Sequence, residues 1–241
     1  MLIPRIITAV ALLAVLLPAV FAVSPEPFAA VTLLLIVAAC WEWGRLNQMG
    51  SLPALGVGIA VGVGLAGGWW GQALADAIAP SWERALWLLV STSWVLGSAA
   101  LVRSGVSAWM PLARSFRLVL GWLLLAATWW AIARARTLGI NFLLSLMVLV
   151  WAADVAAYFG GRAWGQRKLA AAISPGKTWA GAWSGAGAVL VLGIAWQRLD
   201  QTGLVDGASI FTILADRHLL IALIGVLFLV AMAVVGDLME S

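Results

Sequence analysis

The chain has 241 residues, of which 64% are hydrophobic and 10% charged, with a mean hydropathy of +1.05 and a formal net charge of +4. Soluble domains run at roughly 45–50% apolar and about 25% charged, so a soluble globule is excluded, and so is a disordered chain, which would be apolar-poor and charge-rich. The lone cysteine, Cys40, excludes a disulfide scaffold, and long unbroken apolar runs exclude a transmembrane β-barrel built on alternating segments of about ten residues.

A helix that crosses a bilayer needs roughly 17–25 mostly apolar residues. Cutting the chain at its charges leaves uncharged stretches at 6–25, 27–41, 46–75, 85–102, 118–133, 137–153, 178–197 and 218–236. They predict an all-α, polytopic integral membrane protein with about eight transmembrane helices. The first stretch follows a positive start, but Pro18 and the bulky residues after it make no small-residue cleavage site, so it is read as a span and not as a signal peptide. The 27–41 stretch is short, and it either lies in the interface or recruits its flanks. The third span starts near Ala54, after Asn47, Gln48 and Pro53, and is crowded with glycine. Gly58/Gly62 and Gly64/Gly68 stand four apart, a spacing that lets helices approach closely, within the chain or across a dimer seam. The 16 tryptophans fit a protein with two membrane interfaces.

The basic residues form no run that would grip nucleic acid. Distributed over alternate loops, nine fall on one side (Arg5, Arg45, Arg103, Arg114, Arg117, Arg162, Arg167, Lys168, Lys177) and five on the other (Arg84, Arg134, Arg136, Arg198, Arg217). The excess of positive charge marks the cytoplasmic side, so both termini are expected there. Arg134 and Arg136 run against this assignment.

Two regions follow: N-terminal transmembrane helices at 1–135, and helices plus a cytoplasmic loop carrying the chemistry at 136–241. An ionisable group inside a span costs about 2.5–3.5 kcal/mol on insertion scales. Asp154 ends the sixth span, and Asp237, followed by Glu240, ends the eighth. Between them lies the most basic and polar piece of the chain, from Gly160 to Trp179, with Arg162, Arg167, Lys168, Ser174 and Lys177. Carboxylates suit Mg²⁺, which takes oxygen ligands and substrate phosphates, and Lys and Arg hold phosphate oxygens. Together they suit phosphoryl or nucleotidyl transfer, where catalysis is mostly positioning and charge neutralisation. Asp154 and Tyr158 share a helix face, as do Asp237 and Glu240. Structural readings stand beside these: Asp154 as a helix-holding partner of an arginine, the basic loop as a topology signal, Glu42 with Arg45 as a structural pair, His218 as interfacial and Cys40 as packing. Gly176-Lys177-Thr178 looks like the end of a P-loop, but Ala171 stands where the first glycine belongs. Pro175 instead sets a turn, with Lys177 and Thr178 at the entrance of the seventh span, where free N–H groups favour phosphate.

Three segments, Asp154-Val155-Ala156-Ala157-Tyr158-Phe159-Gly160-Gly161-Arg162, Ile173-Ser174-Pro175-Gly176-Lys177-Thr178-Trp179-Ala180-Gly181 and Gly236-Asp237-Leu238-Met239-Glu240-Ser241, in this order and spacing, resemble the phosphatidate cytidylyltransferases, also called CDP-diacylglycerol synthases. The resemblance implies that CTP and phosphatidate react to give CDP-diacylglycerol and pyrophosphate, with Mg²⁺, in a homodimer of the bacterial inner membrane. It implies catalytic roles for Asp237, Lys177 and Asp154, substrate binding by Ser174, Lys177, Thr178, Arg162 and Tyr158, and metal binding by Asp237 and Glu240. Ala180 departs from the family, which usually carries a polar side chain there. The family's further signature, a Lys-Asp pair, His-Gly-Gly, Asp-Arg and another Asp, falls after Ser241. The resemblance therefore implies either a fragment of an enzyme or a degenerate relative, the fragment being favoured because the last residues still match the motif, and a chain that is inactive, or nearly so, by itself. Competing readings are another CTP-dependent lipid or polyprenol transferase, a transporter, and a non-catalytic scaffold. The gathering of ionisable residues at one surface, away from the midplane, argues against the transporter.

Overall fold

The computed structural model describes residues 2–73, 81–105, 111–171 and 173–240. Helices α1 (Leu2–Val20), α2 (Glu26–Leu46), α3 (Ser51–Ala73), α4 (Ser81–Ser104), α5 (Arg114–Thr137) and α6 (Ile140–Trp164) come first. A hairpin of β1 (Lys168–Ala170) and β2 (Ser174–Thr178) follows, then α7 (Trp179–Asp200), the short α8 (Ile210–Ala215) and α9 (Leu219–Glu240). Among the described residues, 7 helices are long and apolar enough to cross a membrane, so the protein is an all-α, multi-pass membrane protein. The first stretch forms α1, 19 residues long, whose apolar run among the described residues is Ile6–Val20. The 27–41 stretch does recruit its flanks. Glu26 sits in the first turn of α2 and Arg45 in the last, where each charge complements the helix dipole. Helix α3 starts at Ser51, a turn before the expected Ala54.

The chain divides into two compact units, Met1–Ser91 with Leu112–Thr137, and Thr92–Pro111 with Leu138–Ser241. In the first, α2 packs on α3 and α5. Gly58 and Gly62 lie against Val37 and Cys40 of α2, where a Cβ would clash, so this glycine pair serves packing within the chain. Gly64 faces open space and Gly68 touches Trp130. Cys40 is fully buried. Tryptophans also join helices. The Nε1 of Trp122 donates to the Cys40 carbonyl at 3.2 Å, that of Trp129 to Ala29 at 3.1 Å, and that of Trp43 to Arg117 at 3.2 Å, joining α5 to α2. Where apolar groups gain little by meeting, such bonds and close packing hold helices together.

The two arginines that oppose the charge rule both have structural partners. Arg134 donates to buried Glu83 through Nε at 3.0 Å and a terminal nitrogen at 2.6 Å, and Trp130 donates to the same oxygen at 3.2 Å. Arg136 donates to the carbonyls of Val20 at 2.9 Å and Ala22 at 2.5 Å, closing the C-terminal end of α1. Arg45 does not pair with Glu42 among the described residues. Its guanidinium lies over the Trp41 ring at 5.4 Å from the centroid.

In the second unit α6 and α7 form the closest helix pair. A Cβ at Gly181 would stand 2.7 Å from the Ala157 carbonyl oxygen, and one at Gly185 2.9 Å from that of Ala153. Leu149, Ala153, Ala186, Val189, Phe211, Val226 and Val230 form the core between α6, α7, α8 and α9. One end of the pair, carrying the N-terminus of α6 and the C-terminus of α7, is tied by side chains. The Asp206 carboxylate accepts from the backbone N–H of Ile140 at 2.6 Å and Asn141 at 2.8 Å, satisfying free donors at the start of α6. Gly139, at φ +132°, makes that approach without strain. Asp200 accepts from Asn141, from the backbone and hydroxyl of Ser209 and from the Thr212 hydroxyl at 2.6–2.9 Å. Trp196 donates to Asn141 at 2.8 Å. His218 is a helix cap: its Nδ1 accepts from the N–H of Leu220 at 3.2 Å.

Candidate active site

The opposite end of the same helix pair holds the candidate site. Helix α6 brings Asp154, Tyr158 and Arg162 down one face at four-residue intervals. The chain leaves the helix at Gly165 and turns back as a hairpin, where sequence reasoning expected only a polar loop with a turn at Pro175. Lys168 pairs with Thr178 and Ala170 with Ser174, so Leu169 alone stands against Pro175, Gly176 and Lys177. Such a bulge re-aims side chains, and it is a place where the missing N–H of a proline costs no ladder bond. Thr178 ends β2 and caps α7, its hydroxyl accepting from the N–H of Gly181 at 3.2 Å, as its predicted place at the helix entrance requires. Arg167 lies 5.9 Å from the centroid of the Trp179 ring, and its carbonyl accepts from the Trp179 N–H at 3.0 Å.

Asp154, Tyr158, Arg162, Ser174, Lys177, Thr178 and Asp237 line one cleft of about 440 Å³. These are seven of the eight residues singled out from the sequence. The eighth is Glu240, whose side chain lies outside the described residues. Arg162 donates to the Tyr158 hydroxyl at 3.2 Å. Lys177 forms an ion pair with Asp237, which joins the hairpin to the end of α9. The lysine side chain is 21% exposed and the aspartate side chain 47%. Thus a cation on a bulged strand is held under cover by a carboxylate that faces outward.

Sequence reasoning missed the apolar part of the wall. Leu169, Ala157, Ala182 and Val234 also line the cleft. Val234 is three residues before Asp237 and so on its face of α9, a signal that was available. Gly161 and Gly181 line it too, because a Cβ at Gly161 would stand 3.0 Å from the Thr178 hydroxyl and one at Gly181 2.7 Å from the Ala157 carbonyl oxygen. A cleft with two acids, two cations, three hydroxyls and an apolar flank, on helices that cross a bilayer, is equipped for a phosphorylated molecule with an apolar part. The start of α7 adds the positive end of a helix dipole.

The sequence pattern of the cytidylyltransferase family matches residues 3–241. The chain belongs to the cytidylyltransferase family. A phosphatidate cytidylyltransferase of Pseudomonas aeruginosa is 32% identical over 242 aligned residues, which cover 98% of this chain and 81% of that protein. One of Haemophilus influenzae is 41% identical over 103 residues, 43% of this chain and 33% of its own length. One of Brucella suis is 48% identical over 56 residues, 23% of this chain and 21% of its own. No solved structure gives a significant match.

Proposed function

We propose that this member of the family makes CDP-diacylglycerol and pyrophosphate from CTP and phosphatidate at the cleft between α6, the hairpin, α7 and α9. The observation that carries this reading is the convergence of the seven polar residues on one cleft with an apolar flank, in a chain whose family is defined by cytidylyl transfer.

In the reaction an oxygen of the phosphatidate phosphate attacks the α-phosphorus of CTP. A new P–O bond forms, the bond from the α-phosphorus to the bridging oxygen breaks, and pyrophosphate departs with that electron pair. The barrier is lowered by fixed positive charge where negative charge collects. Lys177 and Arg162 supply such charge, and Ser174, Thr178 and Tyr158 offer hydroxyls that orient phosphate and ribose. Asp237 and Glu240 are the carboxylates we assign to Mg²⁺, and Asp154 lines the same cleft as Asp237. The donor set fits the ion. Among the described residues no three acids or imidazoles cluster, and Mg²⁺ commonly uses only one or two carboxylates, completing its shell with water and substrate phosphates. When bound, the ion would supply electrophilic neutralisation of the triphosphate.

We place the enzyme in the bacterial inner membrane, with the cleft and both termini on the cytoplasmic side where the Lys and Arg count puts them. Bacterial relatives support that location. A homodimer is the assembly we expect. Gly56, Gly64 and Gly67 of α3 are exposed and face open space, which supports close approach of a second helix there.

The test is product formation by the protein expressed from its whole reading frame, in detergent micelles with phosphatidate, Mg²⁺ and radiolabelled CTP. Labelled CDP-diacylglycerol is expected, and none when phosphatidate is replaced by diacylglycerol. Label transferred to diacylglycerol or a polyprenol would overturn the choice of acceptor, and no CTP binding would overturn the reading altogether.

A further inference from the structure

We propose that Lys177 is the resident counter-ion of Asp237, and that a nucleotide triphosphate must draw Lys177 away before that carboxylate takes a divalent cation. The inference rests on the reading that the cleft binds a nucleotide and a metal, and it adds the order in which they bind.

Three observations carry it. The Lys177 Nζ is withdrawn from solvent and has Asp237 as its one partner among the described residues. An ammonium carries three donors, so a covered one held by a single carboxylate lacks partners that phosphate oxygens can provide. Lys177 also sits in the bulge of β2, where Leu169 alone opposes three residues. Rotation of a four-carbon stem carries its charge into the cleft without breaking a ladder bond. Finally, Asp237 is the more exposed member of the pair and lines the cleft with Asp154, so the carboxylate is within reach of a ligand once the lysine has turned.

An ammonium and a divalent cation cannot share one carboxylate without repelling each other. While Lys177 holds Asp237, the metal meets a neutralised acid. Once the triphosphate holds Lys177, the acid regains its charge beside a metal-loving phosphate. Coupling of this kind is reciprocal. The nucleotide raises metal affinity, and the metal, by keeping Asp237 occupied, leaves Lys177 for the nucleotide. The ion pair also disfavours a metal-loaded, nucleotide-free cleft.

The experiment measures binding of Mn²⁺ alone by electron paramagnetic resonance, on detergent-solubilised protein without nucleotide. The variants are Lys177→Met, Lys177→Gln and Arg162→Met, and each is first shown by thermal melting to be folded. Both Lys177 variants are expected to bind Mn²⁺ at least about tenfold tighter than the unaltered protein, and adding Asp237→Asn to either should abolish the gain. Arg162→Met removes the same charge from the same cleft without touching the pair, and a gain under about threefold is expected. Equal gains at Arg162 and Lys177 would mean a general field effect and overturn the proposal, as would unchanged or weaker Mn²⁺ binding in the Lys177 variants. Calorimetry with CTP in EDTA separates the two levels. Asp237→Asn should bind metal-free CTP more tightly than the unaltered protein, and Lys177→Met more weakly. If no form of the protein binds CTP while the Mn²⁺ pattern holds, the nucleotide reading fails and the counter-ion assignment stands.

Discussion

The two ends of the α6–α7 pair place the same kinds of residue in opposite surroundings. At one end Asp200 accepts four hydrogen bonds, Asp206 caps α6 with two, and Asn141 is bonded on both faces of its amide. At the other end Asp154, Arg162, Lys177 and Asp237 face a cleft, and Asp237 shares Lys177 across two elements. An acid bonded within its own fold to capacity has nothing to offer a ligand, and removing it leaves buried donors unmet. An acid at a cleft, held by a cation that can turn away, has both charge and room to offer. Acids near the end of a membrane helix are thus not equivalent, and their surroundings separate those bonded within the fold from those that line a cleft.

The sharpest way to break this contrast is to neutralise one acid at each end. Asp237→Asn is expected to lower CDP-diacylglycerol formation by at least about 100-fold, the scale for losing a group that acts on developing charge, with little change in melting temperature. Asp200→Asn should leave the turnover of the folded fraction within about threefold and lower stability instead. Radiolabelled turnover and thermal melting, measured on the same preparations, decide it. A reversed pattern would mean that the two ends have been assigned the wrong way round.

How much of this was legible beforehand depends on what carries the signal. Hydropathy counts residues, so it found the membrane helices, 7 of which are long and apolar enough to cross a bilayer among the described residues. The cleft was legible because Asp154, Tyr158 and Arg162 recur at helical spacing and the Ser-Pro-Gly-Lys-Thr-Trp segment has unusual chemistry between two spans. The anchoring end was missed. Asp200, Asp206, Ser209 and Thr212 lie in a connection that reads as a loop, and their meaning depends on Asn141, some sixty residues earlier. The Ser209-x-x-Thr212 capping pattern, confirmed by the 3.3 Å bond from the Thr212 N–H to Ser209 Oγ, was the one local clue. Nor does charge counting reveal that Arg134 and Arg136 serve Glu83 and the end of α1.

A second variant at the anchoring end should produce the next largest effect. Asp200→Ala removes the acceptor of four bonds, and bonds to a charged group are worth about 1.5–3 kcal/mol each before neighbours relax. Non-additivity and solvent access to part of the cluster reduce the sum, so a loss of roughly 2–4 kcal/mol is expected, read as a lower melting temperature in detergent. Asn141→Ala should be nearly as damaging, since it also deprives Trp196 of its acceptor. The double variant should cost less than the sum of the two, as expected of residues in one network. Strict additivity would show that the bonds act independently.

The middle of the helix pair links the two ends, and glycine sets its width. Gly185→Ala places a Cβ 2.9 Å from the Ala153 carbonyl oxygen, which forces α6 and α7 apart by a few tenths of an ångström next to Asp154. Overpacking of this kind costs about 1–3 kcal/mol. Gly176, in the bulge, is the opposite case, because a Cβ there meets nothing within 4 Å. Gly176→Ala should therefore leave stability within about 0.5 kcal/mol. The added methyl borders the cleft, however, so the expected effect is a rise in KM for CTP of no more than about tenfold, with kcat nearly unchanged. Unaltered kinetics would show that the ligand never approaches this stretch of β2. A fall in kcat at constant KM would place the bulge backbone beside the reacting phosphate and not at the edge of the binding site.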